Sequence, residues 1–318
     1  MYLSQTNHDR NTVLKVDDLV VAFNMYKAKS FQKEDLEVIH SLSMDVREGE
    51  ILAVVGSSGS GKSILASSIL GLLPRNAKTG GAITYRGEAL TPRSVRPYLG
   101  KQIAYIPQSV DFLDPLMKVG PQVMGVQGEK DELRARQQEL FEEYGLPADT
   151  TEKYPHELSG GMIRRVFISA ALMGDPELII ADEPTPGLDL EMAVKALKDF
   201  RDIADRGAAI VLITHDIDLA LRVADRIAVF YAGTIVEVAK TEDFLGGKDA
   251  LRHPYSKAFI DALPQNDFTP IPGTQPYAGD LPYGCLFAPR CAWCDEACSG
   301  EIPMRTVREG EVRCVHAR

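Results

Sequence analysis

Eight residues, Gly56-Ser57-Ser58-Gly59-Ser60-Gly61-Lys62-Ser63, have types and spacing suited to cradling a phosphate chain. Glycines let backbone N–H groups turn inward around phosphate oxygens without a Cβ clash. Lys62 can reach the outer phosphates, and the Ser63 hydroxyl can ligate Mg²⁺. A second signal is Asp182-Glu183, two acids that close the apolar run starting at Leu178. Ligands bind where the strands of a parallel sheet end. Asp182 is thus placed to hold Mg²⁺, and Glu183 to polarise an attacking water as general base. His215 follows another apolar run, Ala209 to Thr214, and beside a γ-phosphate it can stabilise charge in the transition state. Gln108, after the run 102–106, can contact Mg²⁺ or the water. Singly, these residues read as an acidic loop, a structural histidine and an exposed amide; a phosphate loop in the same chain changes the balance. Ser159-Gly160-Gly161 opens a helix and is a second anion-binding device. One nucleotide does not need two such loops, so this one is expected to serve a nucleotide held by another subunit.

These side chains need strands and helices in alternation. Strands are expected at 12–23, ending at Phe23, and at 37–46, then at Ile51 to Val55, entering the glycine loop. Short strands follow at 81–86 and 102–106, in a mixed sheet around the loop. Residues 116–145 carry helical periodicity, with an apolar stripe through Leu133, Leu140 and Tyr144 and charges on a solvated face. Further helices are read from Leu158 through Met173, at 190–205, from His215-Asp216 to about Val223, and from His253 to Leu263. Strands are read at Leu178–Asp182 and Ala209–Thr214, and two more over 227–238 around Gly233. The alternation indicates an α/β core with a largely parallel sheet. Beyond Leu263 the chain is rich in Pro and Gly, which suits an extended, irregular tail rather than a second core.

Composition narrows the class. The chain has 318 residues and 45% are hydrophobic, enough for a sizeable core. A net charge of −10 argues against a nucleic-acid partner. The first ten residues are polar and no run approaches the ~20 apolar residues that span a bilayer, so a soluble cytoplasmic protein is expected. All five cysteines lie between Cys285 and Cys314. In a cytosolic chain that concentration suggests a metal or cluster site more than a disulfide scaffold.

Taken together, the set resembles an ATP-binding-cassette (ABC) ATPase. Gly56 to Ser63 is similar to Walker A, Gln108 to the Q-loop, Leu158 to Met162 to the signature and Leu178 to Glu183 to Walker B. Asp189 falls in the D-loop and His215 at the switch. Phe23 stands where the family has an aromatic on adenine, with Tyr26 as a rival. The resemblance implies a P-loop NTPase core with an antiparallel β subdomain and a helical subdomain. It also implies head-to-tail pairing, in which Ser159, Gly160, Gly161 and Asp189 close over the partner subunit's ATP. Within the family, Leu113-Asp114-Pro115, Tyr154-Pro155-His156-Glu157, His253-Pro254-Tyr255 and the tail 282–291 look like the dipeptide, oligopeptide and nickel importer branch. That branch implies an ATPase on the cytoplasmic face of a membrane. Its partners would be a related second ATPase, two permease subunits and an extracytoplasmic substrate-binding protein. Residues 12–262 would form the cassette, with a helical part at about 109–174, and 263–318 the extension. The chain departs from the common pattern at Ser57, at Ile163-Arg164 and at Pro186-Gly187; none of these removes a catalytic group.

Cys285, Cys291, Cys298 and Cys314 match the branch's tail, and some members hold a [4Fe–4S] cluster there. Four thiolates suit such a cluster. Cys294 forms C-x-x-C with Cys291, so a zinc site is the alternative reading, with free or bridged thiols a third. Three further functions stay open: a nickel or metal-complex importer ATPase, a non-transport cassette in DNA repair or translation, and a tail that senses redox state or iron. A repair role fits poorly, because only 97 positions separate Lys62 from Ser159, with no room for a long coiled coil.

Overall fold

The computed structural model describes residues 11–26, 32–57, 59–125, 128–263, 266 and 268–318. Ser58 of the glycine loop and the polar first ten residues lie outside this set.

Two long strands, β1 (Thr12–Tyr26) and β2 (Lys33–Arg47), pair antiparallel, with Phe23 opposite Leu36. Both run past their expected ends, because pairing extends them beyond the apolar alternation that marks them in sequence. After β3 (Ile51–Val55) and α1 (Lys62–Ile69), β4 (Ala77–Tyr85) pairs with β1 and β5 (Glu88–Ala89) closes the edge. The result is a separate four-stranded antiparallel sheet, β2-β1-β4-β5. Reading the residues alone had merged these strands into one mixed sheet; the family resemblance implied their separation.

The main sheet has eight strands. β6 (Ile103–Ile106), β7 (Leu178–Asp182), β8 (Ala209–Thr214), β3 and β9 (Arg226–Tyr231) run parallel. β10 (Thr234–Lys240) adds antiparallel to β9, β12 (Gly310–Val312) antiparallel to β10, and β11 (Arg305–Val307) antiparallel to β12. Every residue of β3, β7, β8 and β9 is buried, as expected of strands covered on both faces.

The helical region expected over 116–145 holds two helices, α2 (Val119–Met124) and α3 (Lys130–Glu143). Gly125 separates them with φ +67°, a conformation that ends a helix. α4 (Gly160–Ala171) completes this helical region. α5 (Leu190–Asp205) buries Ala193, Ala196, Leu197, Phe200, Ile203 and Ala204 at helical spacing. α6 (Ile217–Val223), α7 (Thr241–Leu245) and α8 (Pro254–Asp261) follow. Ser159, Asp189 and Asp216 cap α4, α5 and α6, each accepting a backbone N–H on its side chain.

The tail is irregular from 268 to 304 apart from short 3₁₀ turns, then contributes β11 and β12, which sequence pattern did not reveal. It builds only a small apolar cluster of its own, Val312, Cys314 and Ala317 with Val307. Ile271, Leu281, Leu286 and Phe287 pack on the cassette's core, and Phe287 joins Tyr231 and Tyr255 at ring-centroid separations of 5.4 and 5.3 Å.

Candidate active site

Buried β3 delivers the glycine loop to the C-terminal edge of the main sheet. A Cβ on Gly56 would lie 2.4 Å from the Phe230 carbonyl oxygen, so only glycine fits. Lys62 folds back into this loop: its Nζ donates to the carbonyls of Gly56 and Ser57 at 2.8 and 2.9 Å. Burial lowers the lysine's proton affinity, while Glu183 and Asp182 oppose the drop. The ammonium is held by two neutral acceptors that phosphate oxygens can replace.

The neighbouring strand ends supply the rest. Asp182 closes β7 and is 1% exposed. Burial raises its pKa; the Ser63 hydroxyl, Lys62 and Arg164 act the other way, and Glu183 adds to the rise. Asp182 Oδ1 and Glu183 Oε2 are buried without hydrogen-bond partners. Two unsatisfied carboxylate oxygens beside a serine hydroxyl are a donor set for a hard cation such as Mg²⁺. Ser63 Oγ sits 3.5 Å from Gln108 Oε1, which extends that set.

Glu183 has φ +49°, a strained backbone that places its side chain just beyond the strand. Its Oε1 lies 2.8 Å from His215 Nδ1. A neutral imidazole bonded this way carries its proton on Nδ1; a second proton on Nε2 lets it donate outward while still held by Glu183. The His215 ring is 52% exposed, so its free edge faces solvent.

Gly56 to Ser63 except undescribed Ser58, Gln108, Asp182, Glu183 and His215 therefore meet at one sheet edge. Ser159 and Gly160 are exposed, and a Cβ on Gly160 would touch nothing within 4 Å. Gly161 lies against the loop before α5: its Cβ would come 2.9 Å from the Gly187 carbonyl. Asp189 is exposed at the start of α5, its carboxylate accepting the Met192 N–H at 2.9 Å. Phe23 packs on the apolar cluster beneath β1. Tyr26 is exposed, with Lys33 Nζ 5.2 Å from its ring centroid.

Against known proteins, residues 39–186 match the family described as ABC transporter, and residues 236–298 match the oligopeptide/dipeptide transporter C-terminal region. The chain is 34% identical to the dipeptide transport ATP-binding protein DppD of Bacillus subtilis, over 93% of this chain and 91% of DppD. It is likewise 34% identical to the oligopeptide transport ATP-binding protein OppD of Salmonella typhimurium, over 98% and 95%. This chain belongs to the ABC transporter ATPase family. A solved structure titled as the ATP-binding subunit of an ABC transporter superposes with TM-score 0.60 at 29% identity, covering 73% of this chain and 91% of that one. The dimeric cassette MJ0796 bound to ADP and Pi gives TM-score 0.63 at 25% identity, over 72% and 98%. As an ABC ATPase, the chain binds and hydrolyses ATP.

Around the site of this ABC ATPase stand residues whose placement the sequence did not signal. Arg164, one turn into α4, donates to the carbonyls of Pro107 at 2.6 Å and Gln108 at 3.1 Å, tying the signature helix to the Q-loop backbone. In sequence it is indistinguishable from its neighbour Arg165. Gln275 of the tail accepts the Ser57 hydroxyl at 3.0 Å, linking the extension to the phosphate loop.

The tail's five cysteines form no disulfide. Burial pushes Cys285 up to about 11, and Cys298, Cys314 and Cys291 are near enough to add to the rise. Backbone N–H groups point at the sulfurs of Cys285, Cys291 and Cys314, an arrangement that favours thiolates. A second donor set overlaps the first: Cys298 Sγ is 3.5 Å from His316 Nε2, which is 3.1 Å from Asp295 Oδ1. Cys294 is exposed.

Proposed function

We propose that this ABC ATPase powers the import of short peptides. The carrying observation is the pairing of a cassette with an oligopeptide/dipeptide-type C-terminal region, in one chain collinear with DppD and OppD. Lys62 leaves its two carbonyls for the outer phosphates of ATP. Ser63, Gln108 and Asp182 would hold Mg²⁺, which when bound neutralises phosphate charge. Glu183 accepts the proton of the attacking water, and His215, oriented by Glu183, donates to the γ-phosphate. Phe23 would stack on adenine. Ser159, Gly160, Gly161 and Asp189 would complete the ATP site of a second, related cassette; the exposure of Ser159, Gly160 and Asp189 supports that role.

No helix among the described residues is long and apolar enough to cross a membrane; in this reading the force passes to separate permease chains. The region between Gln108 and Gln122 suits that contact. Phe112, Leu116 and Met117 are exposed there, Leu116 by 88%. Gln122 holds the loop, donating to the Asp114 and Met117 carbonyls at 3.0 and 2.7 Å. The complete assembly would place two permeases and an extracytoplasmic binding protein with the ATPase pair, this chain lying peripherally on the cytoplasmic face. A nickel complex is the second cargo reading, carried by the resemblance alone.

The four thiols of Cys285, Cys291, Cys298 and Cys314 fit a [4Fe–4S] cluster in number and mutual proximity, backbone N–H groups point at three of them, and a cluster would supply the positive centre that holds them as thiolates. Iron and sulfide in anaerobically purified protein, with absorbance near ~400 nm, is the expected result; stoichiometric zinc without iron overturns it. The import reading is tested by reconstituting the chain with permeases co-purified from native membranes. Dialanine uptake should require ATP, stop with Leu116→Glu, and leave that variant's basal ATPase intact. Uptake of a nickel complex but of no dipeptide would replace the cargo.

A further inference from the structure

The glycine loop is tied to the tail. The Ser57 hydroxyl donates to Gln275 Oε1 at 3.0 Å, across 218 positions of chain. The Tyr255 phenol, itself buried near the start of α8, is a second neighbour of that hydroxyl. Ser57 is exposed, so hydrogen bonds rather than packing must fix it. The backbone carbonyl of the same residue accepts Lys62 Nζ at 2.9 Å. Ser57 thus joins the tail, through its side chain, to the lysine of the site, through its backbone.

Gln275 stands on a firm support. Arg290 donates to the carbonyls of Ile271 and Pro272 at 3.2 and 2.7 Å, and Gly273, at φ +70°, lies where a Cβ would meet Arg290 Cγ at 3.5 Å. The same guanidinium lies 5.9 and 5.8 Å from the ring centroids of Tyr231 and Phe287. Tyr231 follows Phe230, whose carbonyl leaves no room for a Cβ on Gly56. Residues 271–275 are thereby mounted on β9, the strand that crowds the root of the loop, and Gln275 is half-buried.

We propose that Gln275 is a positioning residue for the nucleotide. By holding the Ser57 hydroxyl it keeps the loop in the shape that receives ATP, and the tail thereby sets the affinity of the site. A loop rich in glycine has many alternative shapes. When one neutral hydrogen bond to it is lost, the receptive fraction of the loop falls several-fold, and apparent affinity falls by the same factor. Once ATP is bound its phosphates order the loop, so turnover at saturation is spared. This role needs ATP binding alone, and neither the peptide cargo nor a cluster.

The test is a double-mutant cycle on the full chain, purified anaerobically. It is read by calorimetry with a non-hydrolysable ATP analogue and Mg²⁺, and by steady-state ATPase activity. Gln275→Met keeps the length of the side chain and removes the acceptor; Ser57→Ala removes the donor. Each should raise the dissociation constant about 3- to 10-fold. The double variant should bind within about twofold of the weaker single one, since both changes break the same bond. Gln275→Met should raise KM for ATP and leave kcat within about twofold of the parent. Unchanged or tighter binding by Gln275→Met, or effects that multiply in the double variant, overturn the proposal. So does a fall in kcat with KM unchanged. The melting midpoint of Gln275→Met should match the parent; affinity lost only together with that midpoint overturns positioning.

Discussion

At the scale of residues, the candidate site gathers groups whose bonds are replaceable or missing. Lys62 is parked on two carbonyls, Asp182 and Glu183 each keep a bare buried oxygen, and His215 has one edge free. Such groups are costly in an empty site and favourable once phosphate and cation arrive. Glu183→Gln keeps the size and the bond to His215 but cannot take a proton. Phosphate release should fall about 10²–10⁴-fold while ATP binding persists; unaltered turnover would remove Glu183 as base. His253 is a different case. Burial holds it neutral, down to about 3 from an ordinary value of 6.5. Below that ordinary value the unfolded chain binds a proton that the native chain refuses. Stability is therefore full above about pH 6.5 and falls by about 1.4 kcal/mol per pH unit toward about pH 3. His253→Asn retains a helix-capping acceptor and should flatten this slope in urea unfolding at about pH 7 and about pH 5.5. Identical slopes in the two proteins would assign the effect elsewhere.

At the scale of elements, the strands carrying the site are anchored at their opposite ends. Arg226, at the start of β9, reaches Glu50 just before β3 and Asp45 in β2, so one guanidinium ties both sheets together. Glu50 is fully buried. Arg226→Met would leave that carboxylate without its cation, and the loss in chemical denaturation should be about 3–5 kcal/mol. A loss under about 1 kcal/mol would mean that water reaches Glu50. A second tie joins the helical region to the core: the Tyr144 hydroxyl donates to Asp199 of α5, and Lys195 bridges Asp199 at 3.2 Å and Glu143 at 2.8 Å. With Arg164 on the Q-loop backbone, these contacts join the helical region both to the core and to the candidate nucleotide site.

At the scale of the whole molecule, the extension is part of the cassette. β12 pairs with β10, Arg252 donates to the carbonyls of Val307 and Arg308, and Gln275 meets Ser57. Truncation after residue 304 would uncover the edge of β10 and remove Cys314 together with Arg313. The shortened chain should aggregate, seen as increased light scattering at micromolar concentration, because an open edge strand templates pairing. It should also lose any iron. A monodisperse truncation with full ATPase activity would show that the tail is dispensable to the cassette.

The sequence by itself marked the family and the residues of the candidate nucleotide site, because a phosphate loop, paired acids at a strand end and a capped signature helix are local patterns. It marked β3, β7, β8 and α5 closely for the same reason: burial on both faces or on one stripe imposes a short repeat. Only the tertiary structure decided what depends on distant partners. The β11–β12 hairpin on β10 and the hold of Arg164 on Gln108 join residues many positions apart. Periodicity carries no record of such pairings, since the energy that selects them appears only when the two segments meet.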